Sequence, residues 1–113
     1  MRRTFILLGA LALVLGLAAP AQAAPVIRGS GVSWSPATLR VDRGTTVRWK
    51  GVSGTHHVRA YGGNWTFDRS LPVGARVTRR FNRSGTFRFY CTIHGSVSGG
   101  ECSGMCGRVV VRG

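Results

Sequence analysis

Beyond residue 23 the sequence predicts an all-β sandwich or barrel, and three observations carry that prediction. Runs rich in β-branched and aromatic residues recur at short, regular intervals, each closed by turn residues. No helical period of apolar residues is sustained anywhere in this stretch. Within several runs apolar and polar residues alternate with the period of two that a half-buried strand requires.

Eight runs read as strands: residues 26–28, 31–34, 38–41, 45–50, 56–60, 76–81, 86–92 and 108–112. The breaks between them have a mechanism. Ser35-Pro36, Asp42-Arg43-Gly44, residues 51–54, Gly62-Gly63-Asn64 and Asn82-Arg83-Ser84-Gly85 combine the fixed φ of proline, the free φ of glycine and the self-bonding side chains of Asn, Asp and Ser. Alternation then assigns faces. Val47 and Trp49 share one face of their run, with Arg48 and Lys50 on the other. His56, Val58 and Ala60 point inward, leaving His57 and Arg59 outside. Phe87, Phe89 and Cys91 form an inner face against Arg88 and Tyr90. Residues 76–81 are less regular, because Arg79 falls on the face of Val77 and Phe81; an edge strand or a bulge accounts for such a position. Trp34, Tyr61 and Trp65 are expected as core or cap residues, and residues 61–67 as a long connection.

The first 23 residues read as an address. Arg2 and Arg3 precede an apolar run from residue 5 to about 19, and Ala21-Gln22-Ala23 fits a small-x-small cleavage site, so a secretory signal peptide leaving after Ala23 is expected. The apolar run is shorter than a comfortable bilayer span. Arg2-Arg3-Thr4-Phe5-Ile6 matches the twin-arginine pattern loosely, and both export routes stay open. Residues 24–113 are then one exported domain, periplasmic or extracellular, long enough for an adequate but not generous core.

Charge narrows the partners. Loss of Arg2 and Arg3 leaves 14 of the 16 basic residues against Asp42, Asp68 and Glu101, a net of +11. Such a surface steers acidic protein partners and anionic membranes by long-range field, although fifteen of the sixteen basic residues are Arg, which a biased genome also produces. Export and the lack of a recognisable motif argue against nucleic acid. Three scattered acids offer no carboxylate pair for acid–base work, and no nucleophile elbow is present, so an enzyme is not expected.

The chemistry concentrates near the C-terminus. Cys91 and His94 stand three apart at a strand end, and inward-facing His56 is the candidate third donor from a distant run. Met105 follows in the segment Cys102-Ser103-Gly104-Met105-Cys106-Gly107. A thiolate, two imidazoles and a thioether suit a copper ion cycling between Cu(I) and Cu(II): sulfur favours the reduced state and imidazole serves both.

Three stretches carry a family resemblance: residues 38–49 (TLRVDRGTTVRW), His56-His57-Val58, and residues 85–94 (GTFRFYCTIH). In this order and spacing the chain resembles the plastocyanin-like cupredoxins over nearly all of residues 24–113. The resemblance implies a Greek-key β-sandwich of about seven to eight strands, with one type 1 (blue) copper ion at one end. It implies His56, Cys91, His94 and Met105 as ligands, and a monomeric one-electron carrier serving a redox partner protein. The resemblance puts His57 in the position next to a ligand from which a side chain braces the Cys loop by hydrogen bonding, a place usually held by a small polar residue.

The eleven positions from His94 to Met105 exceed the usual spacing in that family, and Glu101 or a backbone carbonyl is the alternative axial donor. A Cys102–Cys106 disulfide would flank Met105 and pin the Gly/Ser-rich loop expected before it. Two rival metal sites draw on the same cysteines. A binuclear copper loop needs a histidine and a methionine where Val110 and Gly113 stand. A structural zinc site would take Cys91, His94, Cys102 and Cys106, against the oxidising compartment that favours the disulfide. As a function of the same site, copper delivery is the alternative to electron transfer.

Overall fold

A computed structural model describes residues 24–113; the expected signal peptide, residues 1–23, lies outside the described residues. Nine strands and no helix are found there: β1 (Val26–Ser30), β2 (Ser33–Ser35), β3 (Thr38–Asp42), β4 (Thr45–Ser53), β5 (His56–Tyr61), β6 (Asp68–Leu71), β7 (Arg76–Phe81), β8 (Gly85–Ser98) and β9 (Glu101–Arg112). They form a four-stranded sheet in the order β2-β1-β4-β7 and a five-stranded sheet in the order β3-β9-β8-β5-β6. Most neighbours are antiparallel; β1 with β4 and β3 with β9 are parallel.

The two inner faces meet in one core, and alternation explains its membership. Ile27, Val47, Trp49 and Phe81 enter it from the first sheet, and Val41, Val58, Phe87, Phe89, Val109 and Val111 from the second. The core is strongly aromatic. Trp49 lies 5.3 Å from both Phe67 and Phe89, ring centre to ring centre, and Phe89 meets Trp34 at 5.4 Å. Such rings bury large apolar areas on few rotatable bonds, which helps so small a domain. Trp34 and Trp65 are buried as expected, while half-buried Tyr61 packs edge-on against Tyr90 at 5.8 Å.

Two features differ from the sequence expectation, and at Arg79 one of the two expected alternatives is met. β6 is a ninth strand that the polar residues Asp68-Arg69-Ser70 hide; only Leu71 is buried, because β6 is the outermost strand of its sheet. Arg79 is explained by an edge: β7 ends its sheet, and Arg79 is exposed with its guanidinium 6.0 Å from the centre of the Trp65 ring. The segment expected as a Gly/Ser-rich loop is instead a β-hairpin that extends β8 and β9 by the pairs Gly95–Gly104, Ser96–Ser103, Val97–Cys102 and Ser98–Glu101. Gly99 and Gly100 turn it at φ values of 59° and 79°, the two positive values that a tight two-residue hairpin turn requires.

Candidate metal centre

His56, Cys91 and His94 come together at one end of the sandwich. His56 opens β5, where the chain enters the core from the β4–β5 turn, and its ring is 1% exposed. Cys91, fully buried, continues the inner face of Phe87 and Phe89 on β8. His94 arrives by a different device. The β8–β9 register passes from Tyr90–Cys106 directly to Gly95–Gly104, so the four residues 91–94 stand opposite Met105 alone. This bulge turns the chain enough for Cys91 and His94 to converge, which an unbroken strand with its 180° alternation forbids at a spacing of three.

Glycines permit the bulge. A Cβ on Gly104, at φ 84°, would clash with the carbonyl oxygen of His94, and one on Gly95 would stand 3.1 Å from the carbonyl oxygen of Cys91. Gly29 serves the other side: a Cβ there would press on Trp34 at 2.9 Å and on the His56 ring at 3.0 Å.

The donor atoms are oriented. The Nε2 atom of His56 is 2.6 Å from the carbonyl oxygen of Ser53, so that nitrogen carries the proton and donates it. Its Nδ1 is thereby left as a lone pair, 3.8 Å from the sulfur of Cys91. The Nδ1 of His94 is 3.6 Å from the same sulfur. All three donor atoms lie within 4.8 Å of one another. With metal–nitrogen near 2.0 Å and metal–sulfur near 2.3 Å, a trigonal or tetrahedral ion separates its N and S donors by about 3.5–3.7 Å. The measured separations therefore fit one ion between them. His94 is half-buried, so its ring is the donor that reaches the surface.

Met105 is 1% exposed and sits opposite the bulge. Its carbonyl accepts the indole N–H of Trp34 at 3.2 Å, and Trp34 in turn packs on the His56 ring at 5.9 Å. Cys102 and Cys106 are joined to each other, with Cα atoms 6.1 Å apart, on either side of Met105. That pairing removes both sulfurs from a zinc set with Cys91 and His94. The zinc donor count is therefore not met, whereas a His₂Cys set suits copper.

His57 is placed outside, as its parity requires, and its Nε2 bonds the Asp68 carboxylate on β6 rather than the segment around Cys91. Arg59 holds the other carboxylate oxygen at 3.3 Å. The hydrogen bond from His57, with the Arg59 charge behind it, holds the Asp68 carboxyl below the usual carboxylate range. Sequence reasoning missed three participants: the Ser53 carbonyl, the Trp34 indole and Asp68. Only Trp34 left a signal, as an aromatic expected in the core.

A sandwich of this topology with a His₂Cys cluster at one end defines the class: the chain has the cupredoxin fold, and its cluster fits a type 1 copper site. Solved structures similar to it make the likeness concrete. A reduced, Cu(I) amicyanin variant is 24% identical, covers 81% of this chain and 85% of its own, and superposes with a TM-score of 0.66. A purple cupredoxin from Nitrosopumilus maritimus is 25% identical over 78% of this chain and 99% of its own, with a TM-score of 0.61. A copper-containing nitrite reductase from Thermus scotoductus SA-01 is 22% identical over 80% of this chain but only 23% of its own, with a TM-score of 0.68. No family model and no curated protein matches the sequence.

Proposed function

We propose that the protein is an exported one-electron carrier holding a single copper ion through His56, Cys91 and His94, with Met105 as the axial ligand. The observation that carries this reading is the convergence of three donor atoms within 4.8 Å, two of them buried, on a β-sandwich of cupredoxin type. Copper bound there supplies a one-electron couple between Cu(I) and Cu(II). The protein's own part is to hold the donors still. The Ser53 carbonyl fixes the tautomer of His56, the Gly104 bend keeps His94 beside Cys91, and the buried sulfur is shielded from solvent. Met105 is supported as axial donor by its burial opposite the bulge, and the Cys102–Cys106 bond is proposed to clamp that position. His57 acts at one remove, joining β5 to β6 through Asp68 behind His56.

Exposed apolar side chains lie beside the ligands in sequence, Ile93 next to His94 and Val52 four residues before His56, and Val32 and Val73 stand exposed in the β1–β2 and β6–β7 connections. These apolar side chains are the proposed contact for a redox partner, whose acidic surface the basic chain attracts. The protein is proposed to work as a monomer, with residues 1–23 removed and residues 24–113 as the working domain outside the cytoplasm.

Titration of purified residues 24–113 with Cu(II) tests the reading. One equivalent should produce intense thiolate-to-copper absorption in the visible range. Cys91→Ser should abolish it and Cys102→Ser should leave it; the reverse pattern would overturn the ligand assignment.

A further inference from the structure

The outer face of the four-stranded sheet has cations at every charged position. Alternation sends Ile27, Val47, Trp49 and Phe81 inward, so Arg28, Arg48, Lys50, Arg76 and Arg80 take the opposite face. The registers bring Arg28 beside Lys50 and Lys50 opposite Arg76, a single row across β1, β4 and β7. One row further along, Arg48 stands opposite Thr78, and beyond it Arg80 opposite Thr46. Like charges directly opposed across strands repel and weaken the pairing. Nothing in this sheet relieves them, since β1, β2, β4 and β7 contain no Asp or Glu.

The chain's three acids all lie in the other sheet: Asp42 on β3, Asp68 on β6 and Glu101 on β9. There Asp42 pairs with Arg112 and Asp68 with Arg59, and Arg108 donates to the Thr38 hydroxyl. Among the described residues, every ion pair belongs to that sheet. A genome rich in arginine explains many cations but not a face from which acids are missing.

We infer that this face is a docking surface for an anionic phospholipid bilayer. Its remaining outward residues are mostly small and hydroxylic, Ser30, Ser33, Ser35, Thr46 and Thr78, with half-buried Val26 beside Arg48 and exposed Val52 near the end of β4. Of the exposed large apolar residues, Val32 and Val73 lie in connections and Ile93 in the β8 bulge; Val52 alone belongs to this sheet, next to the last residue of β4. A protein partner is gripped by a cluster of aromatic or aliphatic anchors, and this face offers no exposed aromatic, only Val26 and Val52 at separate places. A flat charged membrane needs none, because each cation near it adds about fivefold to the affinity by summed attraction. Docked this way, the strands lie along the membrane. The metal end faces sideways, and His94, on the other sheet, stays clear of the lipid.

Sedimentation of residues 24–113, which contain every strand and core residue described above, with phosphatidylglycerol and with phosphatidylcholine vesicles tests this. Binding is expected to the anionic vesicles alone and to weaken steeply with salt. The triple variant Arg28→Gln/Lys50→Gln/Arg76→Gln should lose about 100-fold. Matched neutralisation of the other sheet, Arg40→Gln/Arg88→Gln/Arg108→Gln, should lose far less, and Arg28→Lys/Arg76→Lys should retain binding, which separates charge from folding. Equal loss in both triple variants, equal binding to the two lipids, or none to either would overturn the inference. The affinity is expected with and without copper, so its failure is distinct from failure of the copper reading.

Discussion

At the residue scale the site depends on which atom of each donor is free. The Ser53 carbonyl takes one proton-bearing nitrogen of His56 and thereby presents the other to the sulfur of Cys91. Met105 enters through its neighbours, since Trp34 bonds its carbonyl and packs on His56. Met105→Leu replaces one buried side chain by another of similar volume, so the fold should lose less than about 1.5 kcal/mol. The strong visible absorption should remain, because it belongs to the thiolate. The potential measured by voltammetry should become more positive, since removal of an axial donor leaves the oxidised ion less stabilised. An unchanged potential would show that Met105 is not a ligand. Cys91 and His56 were legible in sequence because strand parity is a local property. The Ser53 contact was not, since it depends on where a turn folds back.

At the element scale the β8–β9 hairpin matters most. The ten residues between His94 and Met105 are absorbed by regular pairing beyond the bulge, so the extra length does not loosen the site. Gly104 is the pivot, with φ 84° and no room for a Cβ beside the His94 carbonyl oxygen. Gly104→Ala places a side chain where neither the backbone conformation nor the space accepts one. The conformational cost alone is about 1–3 kcal/mol, and the clash adds to it. Denaturant unfolding should register that loss, and copper affinity should fall with it, because His94 must move. Closing the short Cys102–Cys106 ring contributes about 2 kcal/mol in the chain-entropy view and holds the same bend. The spacing of Cys91, His94 and Met105 was readable, but not the hairpin: a Gly/Ser-rich stretch looks like a loop until its partner strand is known.

At the scale of the whole molecule, charge is divided between the sheets. The five-stranded sheet balances part of its charge internally, and Asp68 is the clearest case. Its carboxyl is held below the usual carboxylate range by the His57 hydrogen bond and by Arg59. A depressed folded value stabilises the protein fully above the unfolded carboxylate value, near pH 4, and is lost as pH falls through the lower folded one. The melting temperature of Asp68→Asn should therefore lie below that of the parent at pH 5–7, and the gap should close as pH drops below about 4. The difference should be small, because Asp68 is more than half exposed. A gap that persists at pH 2 would remove the carboxylate from the explanation.

The order of residues alone carries the all-β class, the inward faces of most strands, and the candidacy of His56, Cys91 and His94 as donors at one end. Each follows from period-two alternation or short spacing, which the chain carries locally. The bulge of residues 91–94 against Met105, the place of polar β6 at a sheet edge, and the gathering of cations without acids on one sheet face emerge only from the folded chain. These depend on register between strands far apart in sequence. A shift of one residue there would send every side chain to the other face.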